Sequence, residues 1–325
     1  MTNKAVSESD YPDLQFARAT LQQRLESLLK ELASLKSRAT EEAIHDTRVQ
    51  SRRMRSALEA FDDLVAPRPY KAAYESVRRI TRTLGRPREQ GVSLAHLREL
   101  TVGGNMAENL CREYLEERFE LLLRKQEQRL KRGLKIINGR RLRSQIELLL
   151  AGMGPQETWD APALHRQPRE RGRRIMTSLA EPIMSFRAPQ QFRRATDDRL
   201  HGLRIAAKKL RYAMEIFDPV SPKGLQPCIA QAKALQDAGG LYHDWCVLSE
   251  QLKEEIRRLN SRRTVHLAFQ MGRLLAHASD LRKKLRKLIL PELTRLQATL
   301  APLLSALPEG NPAPLEEPSA ARMRK

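Results

Sequence analysis

Apolar residues recur at spacings of three and four along most of the chain, a pattern typical of amphipathic helices. Leu, Ala, Arg, Glu, Lys and Gln, which favour helices, dominate these segments. Alternating β-branched stretches bounded by turn residues are almost absent, which argues against a sheet. The pattern therefore predicts an all-α fold. The clearest helical segments are 14–38, 42–65, 69–84, 93–138, 190–217, 226–239 and 245–290.

Proline and glycine residues are expected to interrupt these helices. Breaks are predicted at Pro67 and Pro69, at Gly85 and Pro87, at Gly133 and Gly139, and at Pro219 and Pro222. The largest change in composition is over 151–172, which holds three prolines and three glycines and predicts a linker between halves 14–150 and 173–305. Residues 1–13 and the proline-rich segment 306–325 are predicted to be disordered.

One segment of the chain occurs twice, 156 residues apart. Residues 45–61 read HDTRVQSRRMRSALEAF and residues 201–217 read HGLRIAAKKLRYAMEIF. A weaker echo follows at an offset of 155, where Gly85, Arg88, Glu89 and Val92 align with Gly240, His243, Asp244 and Val247. Because a repeat of this kind marks a repeated structural unit, the chain is predicted to consist of two similar helical halves.

Each copy of the repeat places its cations on one side of a helix and its apolar residues on the other. The first stripe, about 80° wide at 100° per residue, contains His45, Arg48, Arg52 and Arg55, with Arg53 beside it. The second stripe contains His201, Arg204, Lys208 and Arg211, with Lys209 beside it. Successive cations rise by roughly 4.5–6 Å along the axis, a spacing that suits a linear polyanion better than one small anion.

A cationic stripe opposite an apolar one is also typical of an ordinary surface helix. Two features favour ligand binding: like charges at this spacing destabilise a helix, and both halves nevertheless repeat the pattern. By themselves His45 and His201 could equally be capping or core residues, and their position on the stripes favours anion contact. Glu59 and Glu215 follow Arg55 and Arg211 by four residues, which predicts ion pairs rather than ligand contacts.

Charge makes a polyanion or an anionic surface the expected partner. The 325 residues include 59 Lys and Arg against 39 Asp and Glu, a formal net charge of +20. No apolar run approaches the ~20 residues of a membrane helix, and the first residues lack the apolar stretch of a signal peptide. The scattered cysteines, Cys111, Cys228 and Cys246, argue against a disulfide framework. These features predict a cytoplasmic protein without a membrane span.

Sequence signals of catalysis are missing. There is no HExxH, paired CxxC, GxxxxGK[ST] or GxSxG motif, and the seven histidines show no metal-ligand spacing. The sequence therefore predicts no catalytic residue, no metal site and no cofactor.

The two copies of H-x-x-R-[VI]-x-x-[RK]-[RK]-[ML]-R, each with its downstream echo, resemble the paired signature of the conserved histidine α-helical domain (CHAD) family. The resemblance covers residues 14–305 and implies two pseudo-symmetric four-helix-bundle halves with a basic central groove or pore. It also implies binding of inorganic polyphosphate, often at polyphosphate granules, without catalysis by this domain. The motif maps onto His45, Arg48, Arg52, Arg53, Arg55, His201, Arg204, Lys208, Lys209 and Arg211.

The downstream echo departs from the Arg-Asp pair that is usual in the family. Here the pairs are Arg88-Glu89 and His243-Asp244, so Arg88 and His243 are only secondary candidates for polyphosphate contact.

Three other functions remain open at this point. Nucleic-acid binding is the main alternative, although aromatic residues make up 5% of the chain and only Tyr212 lies among the basic residues, so stacking platforms are scarce. A phosphohydrolase would need metal-binding carboxylates beside the stripes or the E-x-E-x-K motif of some relatives, and neither is present. A peripheral membrane role lacks an obvious amphipathic anchor. Oligomeric state and preferred polymer length do not follow from the sequence.

Overall fold

The computed structural model describes residues 11–100, 106–154, 166–222, 224–259 and 265–305. Within these ranges the chain forms ten α-helices, two short 3-10 helices and no strand, which confirms the all-α prediction. None of the described helices is long and apolar enough to cross a membrane. The predicted disordered ends, 1–13 and 306–325, lie outside the described residues except for 11–13.

Five of the described helices belong to the first half of the chain. They are α1 (Pro12–Ser37), α2 (Glu41–Ala60), α3 (Pro67–Glu99), α4 (Met106–Ile136) and α5 (Gly139–Ala151). The second half contains α6 (Pro168–Met184), α7 (Pro189–Arg193), α8 (Asp197–Phe217), α9 (Gln226–Arg258) and α10 (Val265–Ser305). The repeated segments thus lie on α2 and α8.

Helices α2 and α8 begin with the same cap. The hydroxyl of Thr40 accepts a hydrogen bond from the backbone N–H of Ala43 at 3.1 Å, and Thr196 does the same for Arg199 at 3.3 Å. A threonine in this position satisfies one of the N–H groups that a helix start leaves without a partner. The equivalent caps start the two cationic helices in the same register.

Two apolar cores lie one towards each half, and the first also takes in Phe217 at the end of α8. Helices α1, α2, α3 and α5 surround the first core, in which Leu28, Met54 and Phe61 are fully buried. Helices α6, α8, α9 and α10 surround the second core, which buries Leu210 and Met214.

A third cluster of buried residues is shared by the two halves. It is formed by the end of α3 and the start of α4 from one half, and by the end of α9 and the start of α10 from the other. Its buried residues include Leu97, Phe119, Leu248 and Met271. This cluster is separate from the other two cores and fixes the two halves to each other.

The break predicted at Gly85 and Pro87 was wrong, because α3 continues without interruption from Pro67 to Glu99. A proline inside a helix removes one backbone hydrogen bond and normally favours a break. Here apolar residues on both sides of Pro87 are buried, Leu84 in the first core and Leu94 in the third cluster. Tertiary packing along the whole length of α3 thus outweighs the local preference.

The gap predicted between 239 and 245 was also wrong, because α9 runs through it. A Cβ atom at Gly239 would lie 3.2 Å from the Cβ of Arg204. Gly239 therefore allows α9 to approach α8 closely rather than ending a helix.

Two other boundaries differ from the prediction. The segments 93–138 and 245–290 are each divided between two helices, and Gly133 lies inside α4. Within the predicted linker 151–172, α6 begins at Pro168, and residues 155–165 lie outside the described residues. Proline is favoured at the first position of a helix because its missing N–H is not needed there.

A buried arginine joins the start of the second half to the first half. Arg171 is 1% exposed, and its guanidinium donates to Asp13 at 2.7 Å and to Asp63 at 2.6 Å. Two carboxylates with direct hydrogen bonds offset the cost of burying this charge. Together with the third cluster, this contact holds α2 and α8 in a fixed relationship.

Candidate polyanion-binding site

The two repeated helices pack against each other. Arg53 of α2 donates from Nε to Oε2 of Glu215 on α8 at 2.9 Å. One turn away, Arg52 lies close enough to Tyr212 of α8 for the two side chains to interact electrostatically. The cationic stripes of the two halves therefore lie side by side, which the sequence alone did not establish.

Four cations meet where the stripes face each other, and we call them the central cluster: Arg48, Arg52, Arg204 and Lys208. Arg48 is 8% exposed, and its Nε and that of Arg204 have no hydrogen-bond partner among the described residues. In the described part of the chain, no carboxylate forms an ion pair with any of the four. Glu89 and Asp244 act on Arg204 only as nearby charges.

The central cluster is electrostatically unfavourable as it stands. Burial, followed by the charges of Arg52 and Arg204, lowers the pKa of Lys208 to about 7. Burial and then Arg52 and Arg88 lower the pKa of Arg48 to about 10. Both shifts mean that the charged forms are penalised in the folded protein. A bound polyanion would relieve this penalty, so the cluster is suited to binding one.

The outer cations of the stripes are neutralised by carboxylates. Arg55 pairs with Glu59 at 3.5 Å and Arg211 with Glu215 at 2.8 Å, as their spacing in the sequence predicted. Arg53 shares Glu215 with Arg211, whereas Lys209 is exposed and has no ion pair within the described ranges. The structure thus divides the predicted site into an unpaired centre and a mostly paired periphery.

Each motif histidine contacts the residue that the weaker echo placed downstream of it. His45 forms a hydrogen bond through Nδ1 with Nη1 of Arg88. The Nδ1 atoms of His201 and His243 are 3.2 Å apart, with ring centroids separated by 4.4 Å. The secondary candidates Arg88 and His243 therefore occupy equivalent positions beside the two stripes.

These histidines are held in the neutral form at neutral pH. Burial, then Arg204 and His201, lower the pKa of His243 to about 4. Burial and then a neighbouring arginine also lower the pKa of His45 and of His201, the arginines being Arg88 and Arg204. Neutral imidazoles contribute hydrogen bonds rather than charge to this part of the site.

A cavity of about 530 Å³ adjoins the central cluster and contains residues that sequence reasoning missed. Arg48 and Arg52 line it together with Arg82 of α3 and Arg129 of α4. The repeat could not reveal Arg82, because Asp237 occupies the corresponding position at the offset of 155.

A further arginine missed by the sequence reasoning lies near Arg53 and Glu215. Arg24 of α1 has a buried Nε without a hydrogen-bond partner in the described part of the chain. Burial and then the charge of Arg53 lower its pKa. Across the described residues, no group of three or more His, Cys, Asp or Glu side chains could hold a metal ion.

The fold and the site define an all-α protein with a cationic centre between two repeated helices. The sequence model of the CHAD domain matches residues 19–253, and the chain belongs to the CHAD domain family. No curated protein matches the chain.

Solved structures that share the fold include PptA and a plant CHAD domain. PptA from Streptomyces chartreusis is 14% identical with a TM-score of 0.69, and the match covers 87% of this chain and 99% of that one. The CHAD domain from the plant Ricinus communis is 24% identical with a TM-score of 0.62, covering 90% of this chain and 96% of that one.

Proposed function

We propose that this protein binds inorganic polyphosphate at the central cluster and acts as a binding protein rather than as an enzyme. The observation that carries the proposal is the meeting of Arg48, Arg52, Arg204 and Lys208 without carboxylate partners among the described residues. Membership of the CHAD family supports it. Polyphosphate has about one negative charge per phosphate, so its interior can contact successive cations along both stripes.

Affinity is expected to depend on polymer length and on salt. Many weak contacts on one chain raise the effective concentration of the next contact, so long polyphosphate should bind more tightly than tripolyphosphate. Contacts to Lys and Arg release counterions, so the affinity should fall steeply as the salt concentration rises. Equal affinity for orthophosphate and for long chains would contradict the proposal.

The deciding variant replaces all four residues of the central cluster with Ala. A matched control removes the same charge from exposed or half-buried cations that form ion pairs away from the site: Arg78, Arg143, Arg257 and Arg295. The cluster variant is expected to lose polyphosphate binding, measured by titration calorimetry, while the control retains most of it. Equal losses would mean that binding follows net charge alone.

Nucleic acid is the competing ligand to test. Tyr212, the aromatic residue within the basic stripe, is 4% exposed and lies beneath the guanidinium of Arg211 at 4.5 Å, so its ring is not available for base stacking. Duplex DNA or RNA at equal charge concentration should therefore fail to displace polyphosphate. Displacement would favour nucleic acid as the ligand.

Two finer points belong to the same proposal. Incubation of pure protein with polyphosphate and Mg²⁺ or Mn²⁺ is expected to release no orthophosphate, and release would make the protein an enzyme.

A fluorescent fusion is expected to collect at cytoplasmic polyphosphate granules and to become diffuse when the central cluster is replaced.

A further inference from the structure

The cavity beside the central cluster, which we call the α3–α4 cavity, has a different geometry from the stripes. Arg48 and Arg52 reach it from α2, Arg82 from α3 and Arg129 from α4. The cations of a stripe follow one helix, whereas these four converge from three helices on one space of about 530 Å³. Converging guanidinium groups suit a compact group of high charge, because their planar donor sets can share its oxygens.

A close approach of two helices shapes this cavity. A Cβ atom at Gly133 would collide with Cγ2 of Thr83, so α4 can lie this close to α3 only because position 133 is glycine. Arg129 is one turn before Gly133, and Arg82 is next to Thr83. The glycine thus lets α3 and α4 bring the two arginines to the same cavity.

The arginines of the cavity are poorly neutralised. Arg82 and Arg129 are exposed and have no ion pair within the described ranges. Arg48, which is more than nine-tenths buried, lines the cavity and has no described hydrogen-bond partner for its Nε. Glu89 is the one carboxylate among the lining residues. The cavity therefore combines an excess of positive charge with a buried donor that lacks an acceptor.

We propose that the α3–α4 cavity binds the terminal phosphoryl group of a condensed phosphate, while the central cluster holds interior phosphates of the same ligand molecule. This inference rests on the proposed function and adds recognition of the chain end. A terminal phosphoryl group has a second ionisable oxygen with a pKa of about 6, so at neutral pH it bears close to two charges, against about one for an interior phosphate. The converging arginines suit the higher charge of the terminal group, and the rows of cations on the stripes suit the singly charged interior phosphates.

The second half has no arginine at the position that corresponds to Arg82 of α3. At the offset of 155, Asp237 of α9 stands where Arg82 stands in α3. A carboxylate at that position would repel a phosphoryl dianion. Each protein chain is therefore expected to bind one end of a condensed phosphate.

The first test compares ligands of equal phosphate number with free or blocked ends. Tripolyphosphate has two free ends, ATP has one, and diadenosine triphosphate has none. The wild-type protein is expected to bind tripolyphosphate and ATP about tenfold or more tightly than diadenosine triphosphate. Equal binding of free and blocked ends would overturn the inference. Tighter binding of ATP than of tripolyphosphate would also overturn it, by making a nucleotide the ligand of the cavity.

The second test uses a variant of the cavity and a control of equal charge. Arg82→Ala combined with Arg129→Ala should weaken tripolyphosphate binding about tenfold and leave the affinity for long polyphosphate within about twofold. Lys131→Ala combined with Lys287→Ala removes two exposed cations outside the cavity and should change neither affinity appreciably. All four side chains are exposed, so both variants should keep the wild-type circular dichroism spectrum and melting temperature.

The outcomes separate this inference from the proposed function. If the cavity variant binds tripolyphosphate as the wild type does while long polyphosphate still binds, the inference fails and the proposed function stands. If the wild type binds no long polyphosphate, the proposed function itself fails.

Discussion

Glu215 on α8 accepts a hydrogen bond from Arg53 on α2 at 2.9 Å, so one ion pair joins the two copies of the repeated helix. The other oxygen of Glu215 accepts from Arg211 at 2.8 Å. Its counterpart in the first copy, Glu59, pairs with Arg55 and accepts from the hydroxyl of Tyr74, both within its own half. Equivalent glutamates of the repeat therefore have different roles, and only Glu215 connects the halves.

Replacing Glu215 with Gln should destabilise the protein more than the same change at Glu59. Glu215→Gln leaves Arg53 and Arg211 without their shared anion in a partly buried site, at a cost of about 1–3 kcal/mol. Glu59 is more exposed and its arginine is 3.5 Å away, so Glu59→Gln should cost about 1 kcal/mol or less. Urea unfolding of both variants measures the difference. Equal losses would show that the pair between the halves contributes nothing of its own.

Lys208 is expected to lower the stability of the protein without ligand. Lys208→Met removes a penalised charge and should raise the free energy of unfolding by about 1 kcal/mol, while weakening polyphosphate binding. The folded pKa of about 7 lies below the unfolded value of about 10.4, so the unfolded state binds more protons between these values and stability rises with pH there. Below pH 7 Lys208 is charged in both the folded and the unfolded state, so the full cost of burying that charge is present. Thermal melts between pH 6 and 10 should show this rise in the wild type and lose it in Lys208→Met.

Polyphosphate affinity should fall as the pH rises from about 7 to 9. A bound polyanion raises the pKa of Lys208 again, so binding above pH 7 requires uptake of a proton, and the affinity should fall about tenfold over this range. The groups that face Lys208 are arginines of both stripes, which stay charged over this range: Arg48, Arg52, Arg55 and Arg204. Lys208→Arg should flatten the profile. An unchanged profile in that variant would assign the pH dependence to another group.

The two secondary site residues should respond differently to truncation. Arg88 brings a positive charge to the first stripe, so Arg88→Ala should weaken binding several-fold at pH 7.5. The pKa of His243 is about 4, so His243→Ala removes no charge at that pH and should leave the affinity nearly unchanged. Titrations with long polyphosphate at one salt concentration compare the two. A larger loss with His243→Ala would show that the imidazole pair contacts the ligand directly.

Neighbouring glycines of α9 should tolerate a methyl group differently. A Cβ at Gly239 would lie 3.2 Å from Cβ of Arg204, so Gly239→Ala should push α9 from α8 and cost about 1–3 kcal/mol. A Cβ at Gly240 would meet only Nε of Arg204 at 3.9 Å, so Gly240→Ala should be neutral or stabilising by up to about 1 kcal/mol. Thermal melting distinguishes the pair, and equal effects would mean that the close approach is not needed.

Sequence reasoning was strongest where the two halves repeat each other. The pattern of α2 and α8 is local to one helix, so the stripes and the pairs Arg55–Glu59 and Arg211–Glu215 could be predicted from spacing alone. The arrangement of the stripes side by side depends on contacts between distant segments, such as Arg53 with Glu215, and no spacing rule reveals these.

The errors arose where packing outweighs local preference. A break was predicted at Pro87 and a helical segment was predicted to end at 239, but in both places buried residues on either side keep the helix continuous. Arg82 was missed because Asp237 stands at its repeated position, and Arg82 and Arg129 reach one cavity only through the close approach at Gly133. Such residues become visible only when the relative position of helices is known.

The cluster that α3, α4, α9 and α10 share bears on how the chain unfolds. Leu97 and Phe119 are buried by residues of the other half, Leu248 and Met271 among them. If one half unfolded, the other would therefore expose apolar surface to water, at a cost of about 25 cal/mol per Å². Loss of one half would therefore destabilise the other, which couples the unfolding of the two halves.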